Sequence, residues 1–332
     1  MRAKAPRWQI ELQQAVRDPA ELLALLKLDA AAMPTLRRDG GFELRVPRGF
    51  VARMRSGDPA DPLLRQVLPL AAEDTAAPGF GVDPVGDLAS SATPGLLHKY
   101  RGRVLLVATG ACGVHCRYCF RRHFPYGDET PRGERRDDAL DYIRNDDSIS
   151  EVILSGGDPL TLTDHRLGAL AKELAAIPHV RRLRIHTRQP IVLPERIDEV
   201  FLDWFAPLPV QKVVVVHANH AREIDASVAA AFAALRSAGA ALFNQSVLLA
   251  GVNDDEGALA DLSEALFAAG AIPYYLHMLD RVAGAAHFDV PTARARLLMA
   301  GLRARLPGYL VPRLVRETAG APSKLPVELT VD

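Results

Sequence analysis

From residue 104 onward, short runs rich in β-branched residues alternate with longer segments whose apolar positions recur every three to four residues. The runs predict strands over 104–108, 151–155, 182–187, 212–217, 241–249 and 272–277. The intervening segments predict helices near 134–145, 163–176, 195–204, 222–238, 254–269 and 292–305. Six βα units in succession imply a parallel sheet, because parallel neighbours need right-handed helical crossovers. Six are too few to close an eight-stranded barrel but enough for an open, three-quarter one; an open sheet of flavodoxin type is the competing architecture. Ligand-type residues stand at or just past the end of each predicted strand: Cys112, Asp158, Arg188, His217, Asn253 and Asp280. Their convergence on one mouth favours an α/β fold built as a partial (β/α)6 barrel.

Residues 1–95 have a different texture. Positions 9–28 have the pattern of one or two amphipathic helices, and 58–95 are rich in Pro, Gly, Asp and Ala. This predicts an N-terminal helical and loop extension over 1–95, packed on a barrel formed by 96–332. Composition then acts by exclusion. Of 332 residues, 48% are hydrophobic and 24% charged, which places the chain among ordinary globular proteins. Forty basic side chains balance forty acidic ones, so there is no net-charge footprint for nucleic acid. Apolar runs fall far short of the ~20 residues that span a bilayer. Gln9, Glu11, Gln13 and Gln14 interrupt the place where a signal peptide would carry its apolar stretch. A cytoplasmic enzyme with no membrane partner is expected.

All three cysteines, Cys112, Cys116 and Cys119, fall within eight residues on the loop after the first predicted strand. Clustered thiols in a reducing compartment read as metal or redox groups. Three thiolates can each bind one iron of a [4Fe-4S] cube and leave the fourth iron open to a small chelator. Zinc is the alternative, and it would need a fourth ligand, for which His115 and His123 are the near candidates. Ser155-Gly156-Gly157-Asp158 follows the second strand, where two glycines let backbone approach a ligand or simply make a turn.

The CxxxCxxC spacing, with Tyr118 before the last cysteine, resembles the radical S-adenosylmethionine (radical SAM) superfamily. That resemblance implies a TIM-like partial barrel of the radical SAM type, a [4Fe-4S] cluster on the three cysteines, and S-adenosyl-L-methionine (SAM) near Ser155, Gly156, Gly157 and Asp158. Further blocks resemble the lysine 2,3-aminomutase family: residues 116–124, Arg184 to Pro190 with Val192-Leu193-Pro194, His217-Ala218-Asn219-His220, residues 244–249, and residues 273–276 followed by His287-Phe288. The likeness covers roughly 95–327.

The family resemblance implies roles for particular residues. Lys324 stands at the family's lysine that holds pyridoxal 5′-phosphate (PLP) as a Schiff base, although Ala321-Pro322-Ser323 replaces the usual glycines. A solvated lysine is the alternative. Arg121 matches the arginine for the substrate carboxylate, where its planar fork suits bidentate pairing; capping a helix or facing water is its bland role. Arg103 matches a phosphate arginine, and Lys99 stands where a second arginine is usual. Asp280 and Glu317 match the pair that receives the ε-ammonium of L-lysine, since two carboxylates select a cationic side chain. Local salt bridges to Arg281, or to Arg313 and Arg316, are the alternatives. His217 and Gln245 match positions near SAM, and His186 and His220 are assigned to packing or hydrogen bonding.

By resemblance, the reaction converts L-α-lysine to (R)-β-lysine through a 5′-deoxyadenosyl radical, after a reducing flavodoxin or ferredoxin supplies one electron. The chain ends soon after Lys324, as in the short bacterial group whose product is used by an elongation factor P ligase. A radical aminomutase for another amino acid, and a noncatalytic iron–sulfur or zinc protein, are the competing readings.

Overall fold

A computed structural model of the chain describes residues 5–29, 36, 42–130 and 133–327. Ten strands form one sheet in chain order: β1 (Ser91–Thr93), β2 (Leu96–Tyr100), β3 (Arg103–Thr109), β4 (Glu151–Gly156), β5 (Arg182–Thr187), β6 (Gln211–Val216), β7 (Ala240–Val247), β8 (Ile272–His277), β9 (Arg313–Arg316) and β10 (Leu325–Pro326). The pairings from β3 to β9 are parallel, whereas β1, β2 and β10 attach antiparallel at the two borders. The parallel part therefore has seven strands where the hydrophobic pattern predicted six. Strand β9, Arg-Leu-Val-Arg, escaped because four residues flanked by charge give too little alternation to read.

The crossover helices are closed by the chemistry of their first residues. Asp198, Asp225 and Asp255 each accept a hydrogen bond from the backbone N–H three positions on, at 2.9, 3.0 and 3.1 Å. These caps also correct two predicted helices: the one expected over 195–204 runs Glu199–Phe205, and the one expected over 222–238 runs Ala226–Ser237. Among the described residues, the N-terminal region begins with the helices Arg7–Gln13 and Pro19–Leu25 and continues with the short helices Arg48–Val51 and Pro62–Arg65. Trp8, buried to 2%, lies under the Arg196 guanidinium at 4.6 Å, and its core is continuous with that of the sheet and crossover helices.

Strand periodicity divides the side chains between two faces. On β5, Leu183 and Ile185 join the helix-side core, so Arg182, Arg184 and His186 face the inside of the curl. Register places Arg103 beside Glu151 and Glu151 beside Arg182. Glu151 pairs with both Arg182 and Arg184, which gives the inner face a charged floor at the strands' N-terminal end.

The borders approach each other without a ladder. Lys99 on β2 pairs with Glu317, just past β9, at 3.1 Å. A strap helps to close this gap: Gly81 bridges Val282, and Asp87 pairs with Lys99 at 2.6 Å. Among the described residues, no helix is long and apolar enough to cross a membrane.

Candidate active site

The cysteine loop and the Ser155-Gly156-Gly157-Asp158 turn are built against each other. Gly157 N–H donates to Thr109 O at 2.7 Å and Asp158 N–H to Ala111 O at 2.8 Å. A Cβ on Gly157 would stand 2.4 Å from Ala111 O, so only glycine permits this approach. Asp158, expected among the SAM contacts, commits its carboxylate to the protein. It accepts from Thr187 Oγ1 at 2.7 Å and from the N–H groups of Leu160, Arg188 and Gln189 at 3.0, 2.7 and 3.2 Å. A buried carboxylate needs such donors; here they make it a clamp on the ends of β4 and β5. Ser155 Oγ accepts from Arg121 at 3.3 Å, and Gly156 O from the Tyr126 hydroxyl at 2.8 Å.

The three thiols lie on this loop, and Cys119 N–H donates to Cys116 O at 3.1 Å. Burial, and then the neighbouring thiol of Cys116, push Cys119 up to about 11; burial followed by Cys119 also raises Cys112. A bound cation reverses this cost by stabilising the thiolates. The histidines that would complete a zinc site are engaged elsewhere. His115 Nδ1 meets Glu43 O at 2.9 Å and His123 Nε2 meets Ala283 O at 3.1 Å. Among the described residues, no three His, Cys, Asp or Glu side chains gather around a single metal position. Three separate thiolates on one glycine-fitted loop suit a cube with distinct iron corners.

Deeper in the curl, a chain of charges joins most of the expected substrate and PLP residues. Arg121 Nε donates to Asp87 at 2.7 Å, Asp87 pairs with Lys99, Lys99 with Glu317, and Glu317 with Lys324. Burial works against the Glu317 charge, but Lys324 and Lys99 outweigh it and hold the carboxyl down to about 2. Asp280 goes the other way: burial first, then the Glu317 carboxylate, push it up to about 7. Two carboxylates with opposed protonation preferences thus act on each other and on Lys324.

His217 lies with Gln245, whose Nε2 is 3.5 Å from His217 Nε2, and with His186 at 5.8 Å between rings. Burial, followed by Arg188, Lys324 and Arg121, lowers His217 to about 3, so it is neutral. The buried Nε2 atoms of His186 and His277 have no hydrogen-bond partner in the protein. Buried imidazole nitrogens normally find one, so these two await a polar ligand beside Lys324, which fits PLP with substrate. Arg103 stands apart from the charge chain, its guanidinium 4.7 Å over the Tyr100 ring.

The sequence pattern did not single out Asp87, Tyr100 or His277. Asp87 sits in an irregular Pro- and Gly-rich stretch whose only signal is its charge, and its 2% exposure arises from tertiary contacts. Tyr100 is raised by burial and by Glu317, which places its phenol at the same carboxylate.

The Radical SAM superfamily pattern matches residues 106–262, which contain the cysteine loop and the turn packed on it. The L-lysine 2,3-aminomutase of Escherichia coli (strain K12) is 50% identical over 324 residues, covering 97% of this chain and 94% of that one. The enzyme of the same name from Haemophilus influenzae is 47% identical, covering 96% and 94%. That of Clostridium subterminale is 35% identical, covering 97% of this chain and 77% of its own. With its cysteine loop, open barrel and near full-length match to these relatives, the chain belongs to the L-lysine 2,3-aminomutase family of radical SAM isomerases.

Proposed function

We propose that the chain is an L-lysine 2,3-aminomutase that converts L-α-lysine to (R)-β-lysine using a [4Fe-4S] cluster, SAM and PLP. The observation that carries this reading is the pairing of Lys324 and Glu317 beside Asp280, with Arg121 at the other end of the same charge chain. One pocket thereby offers an amine for a carbonyl cofactor, a fork for an α-carboxylate and two acids for a distal ammonium.

When bound, the cluster and SAM supply a carbon radical, and PLP supplies a conjugated system that lets nitrogen migrate between adjacent carbons. The chain's residues bind, orient and shield. Cys112, Cys116 and Cys119 would hold the cluster, with Ser155, Gly156 and Gly157 beside them and His217 and Gln245 lining the neighbouring inner face. Lys324 would hold PLP, with Arg103 and Lys99 for its phosphate. Arg121 would take the substrate carboxylate and turn from Asp87 to do so. Asp280 and Glu317 would take the ε-ammonium, whose charge matches what a buried acid pair needs. The curled sheet and its strap exclude water, which keeps other hydrogen donors away from the radical.

In this reading a reduced flavodoxin or ferredoxin supplies the electron, an elongation factor P ligase consumes the product, and the setting is cytoplasmic. Borohydride trapping followed by peptide mass spectrometry should find pyridoxal on Lys324. Anaerobic protein supplied with SAM, PLP, dithionite and lysine should form β-lysine, scored by chiral chromatography. Faster turnover of another amino acid would move the substrate assignment. A Lys324→Ala chain that still carries trapped pyridoxal would refute the lysine's role.

A further inference from the structure

Arg188 follows β5 and has no part in the chemistry so far, yet it is among the most tightly fixed side chains of the site. Its Nη2 donates to Glu223 Oε2 at 2.9 Å and to Gln66 Oε1 at 2.6 Å. The rings of Phe50 and Tyr118 lie 5.5 and 5.8 Å from its Cζ. Glu223, with no exposed surface, is fixed in turn by Gln66 Nε2 at 3.0 Å and by the N–H groups of Asn219 and His220 at 2.9 and 3.1 Å. Asn219 Nδ2 then reaches the Tyr118 hydroxyl at 2.7 Å, closing the frame on the cysteine loop. Nη1 points out of this frame and donates to Cys116 Sγ at 2.8 Å.

A hydrogen bond to a cluster sulfur, and a buried positive charge beside it, both favour the electron-rich state. We propose that Arg188 is a positioning residue that raises the reduction potential of the [4Fe-4S] cluster through its hydrogen bond to Cys116, with Glu223 as the counter-charge that limits the rise. In the step concerned, a reduced flavodoxin or ferredoxin loses one electron and the cluster gains it, with no bond made or broken. Arg188 offsets the added negative charge without a proton. The inference rests on the cluster reading above.

The test is an anaerobic EPR-monitored redox titration of the reconstituted full chain. Arg188→Gln should make the one-electron reduction constant at least about tenfold less favourable, a fall of ~59 mV. Arg188→Lys, which keeps the charge, should fall by less. Glu223→Gln, which leaves Arg188 uncompensated, should shift the potential upward, and it tests the idea even if Arg188 variants fold poorly. An unchanged potential in Arg188→Gln, or a downward shift in Glu223→Gln, overturns the proposal. Iron and sulfide content is measured on each sample; a wild-type chain that takes up no cluster fails the cluster reading and this proposal with it.

Discussion

Replacing Asp280 by Asn should stabilise the ligand-free protein while weakening its hold on substrate. The Asp280 carboxyl rises from an ordinary 3.8 to about 7 because burial and the Glu317 carboxylate disfavour its charge. At about 1.36 kcal/mol for each tenfold step, that displacement amounts to roughly 4 kcal/mol, trimmed to roughly 2–4 by water at a half-buried position. A raised acid contributes stability that is fully present below its unfolded value near 3.8 and is lost as pH rises through about 7. The variant has no such loss. In urea unfolding of ligand-free protein, Asp280→Asn should exceed wild type by about 2–4 kcal/mol above pH 8, and by well under half of that at pH 5. A cation seated beside Asp280 reverses the penalty, so wild type at pH 7 should release protons when it binds lysine, a release measurable by calorimetry in buffers of different ionisation enthalpy. The variant should lose that release. Equal stability at every pH, or destabilisation that does not vary with pH, would refute the reasoning.

Glu317→Gln should show the opposite pH dependence. A carboxyl held down to about 2 contributes stability above its unfolded value near 4.5, so the variant should be weaker by roughly 2–3 kcal/mol at pH 7, with the gap closing as pH falls from 4.5 through about 2. Gly157→Ala should force the turn off Ala111 O, and iron retained after reconstitution should drop several-fold. Glu73 accepts from both Arg117 and Arg122 in a buried cluster, so Glu73→Gln should cost about 3–5 kcal/mol in denaturant unfolding by stranding two guanidiniums. Because His217 is neutral over the working range, His217→Gln should leave the shape of the pH–rate profile between 6 and 9 unaltered, whatever it does to the rate.

The parallel order of the sheet was legible because β3 to β8 are short apolar runs, several of them β-branched, separated by helical periodicity, a signal that local sequence carries by itself. The cysteine spacing and the glycine pair were equally plain, since each is a contiguous motif. Strand β9 and the strap residue Asp87 were not. Each is defined by its partner, β9 by β8 and Asp87 by Lys99 and Arg121, and neither partner is near in sequence. Asp158 shows a third situation. The motif was visible, but whether its carboxylate meets a ligand or the Thr187 hydroxyl and the two amides that follow it depends on how β5 terminates. The broken helix after Pro194 was readable in principle, because Asp198 is a strong capping residue placed after a proline turn.

The thiols hang from the first parallel strand, whereas Lys324 sits on the hairpin that ends the sheet, so the two attachment points proposed above lie at opposite margins of one curved ribbon. Their spacing is consequently a property of how tightly the ribbon bends, as the gap of a caliper depends on its frame. A substitution in the middle strands that flattens the bend would uncouple radical generation from nitrogen migration while leaving every chemical group intact. The geometry of the site therefore depends on the shape of strands that touch neither reactant.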